Sequence, residues 1–164
     1  MLQADKDSVT AFSRPIETEF LFQYDAQLRE APGYDFGQTP SGHLRIGALS
    51  GGSIDGPRIK ASILEASDYP IIRSDNVAVP DCKAVLRTDD DELVFMSYTG
   101  CIGPWTEFLA ARQGKPYDAD AIDWKILLSF QTSSSKYDWL NRTMAVGRGE
   151  FAEGGFRYQV YALI

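Results

Sequence analysis

The chain has 164 residues, 44% of them apolar and 12% aromatic, and carries a net charge of −7. That length accommodates one domain with a full core, expected at residues 15–164 behind a flexible N-terminal arm at residues 1–14. The acidic balance argues against nucleic acid or an anionic membrane as partner, because counterion release requires clustered Lys and Arg.

Residues 1–14 lack the apolar core of a secretion signal and no run is long enough to cross a bilayer, so the cytoplasm is the expected compartment. Cys82 and Cys101 are too few for a disulfide framework or a metal site, and free thiols are expected.

Taken in order, Ile16 to Tyr24 alternates with Phe20, Phe22 and Tyr24 on one face and reads as the first strand. Residues 30–42 are punctuated by Pro and Gly and read as a long loop. His43–Leu49 and Arg58–Glu65 are predicted strands joined in a hairpin across Gly51, Gly52 and Gly56. Short extended pieces follow at Tyr69–Arg73 and Val77–Val79.

Asp81–Thr88 and Leu93–Tyr98 flank four consecutive acids, Asp89 to Glu92, which lack the alternating spacing of a calcium loop and read as a solvated hairpin tip. Behind Gly103-Pro104, the residues Trp105, Phe108, Leu109 and Arg112 recur at helical spacing, and Gly114 closes that helix. Strands at Lys125–Thr132, Thr143–Glu150 and Phe156–Leu163 complete the chain. The pattern predicts an all-β, mainly antiparallel fold: a closed β-barrel of about eight or nine strands, lipocalin-like, with one short helix near 104–113.

The available chemistry is narrow. A Ser-His-Asp triad could run only through His43, the sole histidine, and there is no nucleophile elbow, zinc signature or nucleotide-binding glycine motif. No cofactor and no metal are expected, which leaves carboxylates, Lys, Arg, Tyr and one imidazole. Asp68, Arg73 and Asp75 lie close together after a strand, where a pocket mouth or a structural ion pair would both explain them. Lys83 shares a strand face with Val85 and Arg87, opposite Cys82, Ala84 and Leu86; the basic face matters only if it lines the barrel interior. Tyr98 and Lys125 stand at similar strand positions. His43, Trp139 and Asn141 suit either a pocket wall or a structural corner.

Several motifs together resemble the DUF3237 family, also called UPF0311. They are Gly51-Gly52 with Gly56-Pro57, Ala66-Ser67-Asp68-Tyr69, Arg73-x-Asp75-Asn76, Leu86-Arg87-Thr88-Asp89-Asp90, Gly103-Pro104, Tyr137-x-Trp139-Leu140-Asn141 and Val146-Gly147-x-Gly149. The resemblance implies a closed antiparallel barrel with an internal pocket and a tendency to form a homodimer or higher homo-oligomer. It leaves the activity unassigned. Against the usual pattern, Tyr69 replaces a tryptophan, Asn76 a glycine, and Lys83 and Lys125 replace arginines; lysine, unlike arginine, can lose its proton on burial.

The resulting expectation is a small-molecule enzyme, a cyclase, isomerase or lyase of specialised or aromatic metabolism. Asp68 or Asp75 would act as general base, Lys83, Lys125 and Tyr98 would polarise the substrate, and Tyr69, Trp124 and Trp139 would form apolar walls. Arg73, Asn141 and His43 complete the expected binding set. The ligand would be aromatic or polyketide-like. A non-catalytic lipocalin-like carrier and a purely structural oligomeric module are the alternatives.

Overall fold

The computed structural model describes residues 14–30 and 33–164. The arm expected at residues 1–14 falls outside them except for Arg14. Among the described residues, eleven strands form one sheet. In chain order they are β1 (Thr18–Leu28), β2 (Tyr34–Thr39), β3 (Gly42–Asp55), β4 (Lys60–Asp68), β5 (Ile71–Ile72), β6 (Ala78–Val79), β7 (Cys82–Thr88) and β8 (Leu93–Gly103), followed after the helix α1 (Trp105–Arg112) by β9 (Asp123–Gln131), β10 (Met144–Ala152) and β11 (Gly155–Leu163).

Eight of these strands close a barrel in the order β1, β11, β10, β9, β8, β7, β4, β3 and back to β1, with every pairing antiparallel. Closure leaves no free edge in that ring. The remaining strands, β2, β5 and β6, attach through β3 and β8.

Alternation decides what faces inward. On β9, Trp124, Ile126, Leu128 and Phe130 are buried while Lys125, Leu127 and Ser129 are exposed. On β7, Cys82, Ala84 and Leu86 point in, which turns Lys83 and Arg87 to solvent. One end of the interior is solid, packed by Phe22, Met96, Phe130, Val94 and Leu140, the last from a 3-10 turn at Asp138–Arg142.

Three departures from the sequence reading have local causes. Gly51 and Gly52 do not turn the chain: β3 continues through them with a bend, at φ +156° and +144°, and the ladder to β4 lapses between Ala48 and Ser53. A side chain at Gly52 would strike the Asp25 carbonyl of β1, so the bend is reserved for glycine. The hairpin turn lies instead at Gly56–Ile59, closed by Gly56 N–H donating to the Ile59 carbonyl at 2.9 Å.

The expected loop at 30–42 contains β2, whose Tyr34 and Phe36 alternate on an exposed face and whose partner is β3. On β1, a register shift between Phe20 and Phe22 breaks the expected period, so Phe22 and Tyr24 are buried while Phe20 is exposed and Ile16 precedes the strand.

Candidate active site

The end of the barrel opposite the solid core holds a cavity of about 310 Å³. Its wall combines aliphatic side chains with a cluster of rings: Trp105 and Phe108 from α1, Trp124 from β9, and Phe156 and Tyr158 from β11. These rings brace one another, with Trp105 stacked on Phe108 at 4.8 Å and Phe108 edge-on to Trp124 at 5.0 Å. The helical stripe of Trp105, Phe108, Leu109 and Arg112 faces this space, so α1 is its lid. Gly149 of β10 makes room for the indole, since a Cβ there would lie 2.6 Å from Trp124 ring atoms.

Polar groups enter along one row of the sheet. Asp68 on β4 is opposite Cys82 on β7, which is opposite Tyr98 on β8. Side chains so paired lie about 5 Å apart on the same face. Asp68 owes its inward aim to a bulge: Ala61 and Ile63 point in, the register shifts between Ile63 and Glu65, and Ala66 and Asp68 then take over the inner face.

The Asp68 carboxyl is pushed up to about 6. Burial is the main cause, offset in part by the backbone N–H groups of Asp81 and Tyr69, with the Asp81 N–H donating to Oδ1 at 2.9 Å.

The neighbours of Asp68 stay protonated. Burial pushes the Cys82 thiol up to about 12, reinforced by the charge of Asp68, so it is no nucleophile at neutral pH. Burial likewise raises Tyr98, Tyr158 and Tyr24 above the usual phenol range. Tyr24 stacks on Tyr158 at 5.0 Å, and its hydroxyl and Trp124 Nε1 are buried without a hydrogen-bond partner among the described residues. Asp68 is therefore the carboxyl in this wall that changes charge near neutrality.

Of the residues singled out from the sequence, the structure brings Asp68, Tyr98 and Trp124 together around the cavity. It does not bring the others there. Lys83 and Lys125 are exposed on the outer face and pair with Asp81 and Asp123, because alternation commits Cys82 and Trp124 to the interior. Arg73 and Asp75 pair with each other in the exposed turn between β5 and β6. Tyr69 lies outside the cavity, exposed at the end of β4.

His43 bonds Asp35 at 2.6 Å between β2 and β3. Trp139 lies under the Arg58 guanidinium at 3.8 Å, and Asn141 pins the Thr132 backbone through both its amide atoms. These are structural contacts.

Sequence reasoning passed over Arg45, Arg112, Phe108, Phe156 and Tyr158 as site residues. For Arg112 a signal existed: a charged residue on the apolar stripe of the helix.

Among the described residues no group of acids, histidines and cysteines is arranged to hold a metal, and no helix is long and apolar enough to cross a membrane.

A closed eight-stranded barrel, solid at one end and hollow under a helical lid at the other, is an architecture compatible with small-molecule binding. Residues 16–163 match the model of the DUF3237 family, described as a protein of unknown function, and the chain belongs to that family.

A UPF0311 protein of Rhodopseudomonas palustris is 27% identical over 134 residues, covering 80% of this chain and 86% of that protein. The hydroalkoxylation enzyme phnH of Penicillium herquei is 26% identical over 141 residues, covering 85% of this chain and 80% of that protein. Among solved structures, a β-barrel-like protein of Acinetobacter baumannii AYE superposes with a TM-score of 0.78 at 32% identity, over 94% of this chain and 100% of its own.

Proposed function

We propose that this chain is a small-molecule enzyme of specialised metabolism that uses Asp68 as a cofactor-independent acid-base group on an aromatic substrate held beneath α1. The observation that carries this reading is a carboxyl pushed up to about 6 inside an aromatic cavity, where it can both give and take a proton near neutral pH. The similarity to a hydroalkoxylation enzyme supports one reaction in particular, addition of an O–H across a C=C bond.

In that reaction protonated Asp68 gives its proton to one alkene carbon while the substrate hydroxyl oxygen bonds the other. The hydroxyl proton then returns to the Asp68 carboxylate. One C–H and one C–O bond form, the π bond and the O–H bond break, and no oxidant is consumed. Tyr98, fixed as a donor by its raised pKa, is positioned on the same wall to hydrogen-bond a substrate oxygen.

The test is incubation with 2-allylphenol and 2-prenylphenol, following a product of unchanged mass and altered retention by chromatography. Conversion is expected to fall above pH about 6, as the acid form of Asp68 is lost, and to drop by roughly a hundredfold or more in Asp68→Asn. Wild-type conversion no faster than a protein-free control, or an Asp68→Asn variant as active as wild type, overturns the reading. Ligand that binds tightly and returns unchanged at every pH identifies a carrier instead.

A further inference from the structure

We infer that the cavity selects aromatic substrates bearing an anionic group, a carboxylate or an equivalent oxyanion, and that Arg112 and Arg45 hold that group at the mouth while the reacting end lies against Asp68. This deepens the reading of the cavity as a substrate site and rests on it. Arg112 lies in the last turn of α1 and borders both the cavity and an outer groove formed with Leu28, Arg29, Glu30 and Tyr117, which places it at the opening; Glu30 shares that groove without pairing with Arg112. Arg45 on β3 also lines the cavity.

The two arginines differ in what they are bonded to. Arg45 reaches Asp35 at 3.2 Å. Arg112 makes no ion pair or hydrogen bond among the described residues; its guanidinium carbon lies 5.8 Å from the centre of the Phe156 ring. Its pKa is lowered by burial and then by the positive charge of Arg45, and no carboxylate offsets either. In a chain of net charge −7, where most other described Lys and Arg residues are ion-paired, such a partly desolvated arginine beside a second one is a cost that an incoming anion would relieve. Guanidinium groups bind carboxylates through two parallel N–H donors, and the aromatic wall behind them suits a planar ring.

The probes are 2-naphthoate and 2-naphthamide, nearly the same shape and different in charge, each titrated into the full chain by calorimetry. Wild type is expected to bind the carboxylate roughly tenfold or more tightly than the amide. Arg112→Met should bring naphthoate down to the level of naphthamide while naphthamide affinity stays within about twofold, which also certifies that the variant is folded. Arg45→Met should lower the preference by a smaller factor, since that arginine is shared with Asp35.

Equal affinity of the two probes for wild type, no binding of either, or a carboxylate preference that survives in Arg112→Met overturns the inference. Asp68→Asn separates it from the catalytic reading. That variant should keep the carboxylate preference whether or not it converts 2-prenylphenol, so loss of the catalytic reading and loss of the anion site give different results.

Discussion

At the scale of single residues, Asp68 couples stability to pH in the direction opposite to that of a paired surface acid. Its folded pKa of about 6 lies above the ordinary 3.8, so between those values the folded chain holds the proton more tightly than the unfolded one. The stabilisation is therefore complete below pH 3.8 and is lost as pH rises through about 6; keeping the ionised form buried costs on the order of 3 kcal/mol at pH 8.

Asp90 behaves the other way, held below the usual carboxylate range by Lys136, Tyr137 and Thr88, so comparison with a variant is needed to isolate Asp68. Asp68→Asn retains an oxygen for the Asp81 N–H and should raise the urea midpoint at pH 8 while changing it little at pH 4. Equal shifts at both pH values would contradict a buried carboxyl of raised pKa. Lys83→Met and Lys125→Met, both on the outer wall, should leave conversion within about twofold of wild type, because exposed pairs contribute little.

At the scale of elements, the site depends on how α1 is fixed over the barrel. The helix has no side-chain cap of its own at Pro104. Asn76, from the turn between β5 and β6, supplies the anchor: its carbonyl accepts from Trp105 N–H at 2.7 Å, its Oδ1 accepts from Thr106 N–H at 3.2 Å, and its Nδ2 donates to Thr106 Oγ1 at 3.1 Å. Asn76 sits at φ +65°, which asparagine tolerates better than most residues and glycine better still. Asn76→Gly thus keeps the backbone and removes the side-chain anchor. It should cost about 1 kcal/mol and speed hydrogen exchange in the first turn of α1. Gly149→Ala tests the opposite wall: the added methyl must displace the rigid Trp124 indole, costing about 1–3 kcal/mol and shifting tryptophan emission.

Elements were also where the sequence was most and least legible. The helix and the apolar face of β7 formed by Cys82, Ala84 and Leu86 could be read from spacing alone, because each keeps one period from end to end, but which faces of β7 and β9 turn inward could not. Nor could the bulges on β1 and β4. Each shifts the period by one residue without a proline or glycine to mark it, and the one on β4 is what turns Asp68 inward. Lys83 and Lys125 illustrate the converse: charge at a strand position attracts attention, yet burial belongs to the alternate residue. The expected cluster of charged ends at 68, 75, 83 and 125 reduces to Asp68 for that reason.

At the scale of the whole molecule, the decisive feature is where the barrel leaves space unfilled. The solid end shows that this chain can pack its interior densely with Phe22, Met96 and Phe130. The hollow end is shaped by small residues as well as by rings. Gly47 on β3 pairs with Asp68 on β4 and borders the cavity, and a Cβ built there meets nothing within 4 Å. Its backbone does not require glycine, so a side chain there can enter the cavity without strain, and replacing a strand glycine restores about 0.5–1 kcal/mol of backbone entropy.

Gly47→Phe is accordingly expected to leave the thermal midpoint unchanged or higher while weakening 2-naphthoate binding by tenfold or more and abolishing conversion of 2-prenylphenol. Calorimetric titration and a thermal melt on the same preparation check both halves. If the space exists to hold a ligand, stability and binding must separate in this way. A variant that loses both together would mean that the cavity wall is needed for folding, and one that loses neither would place the binding site elsewhere on the molecule.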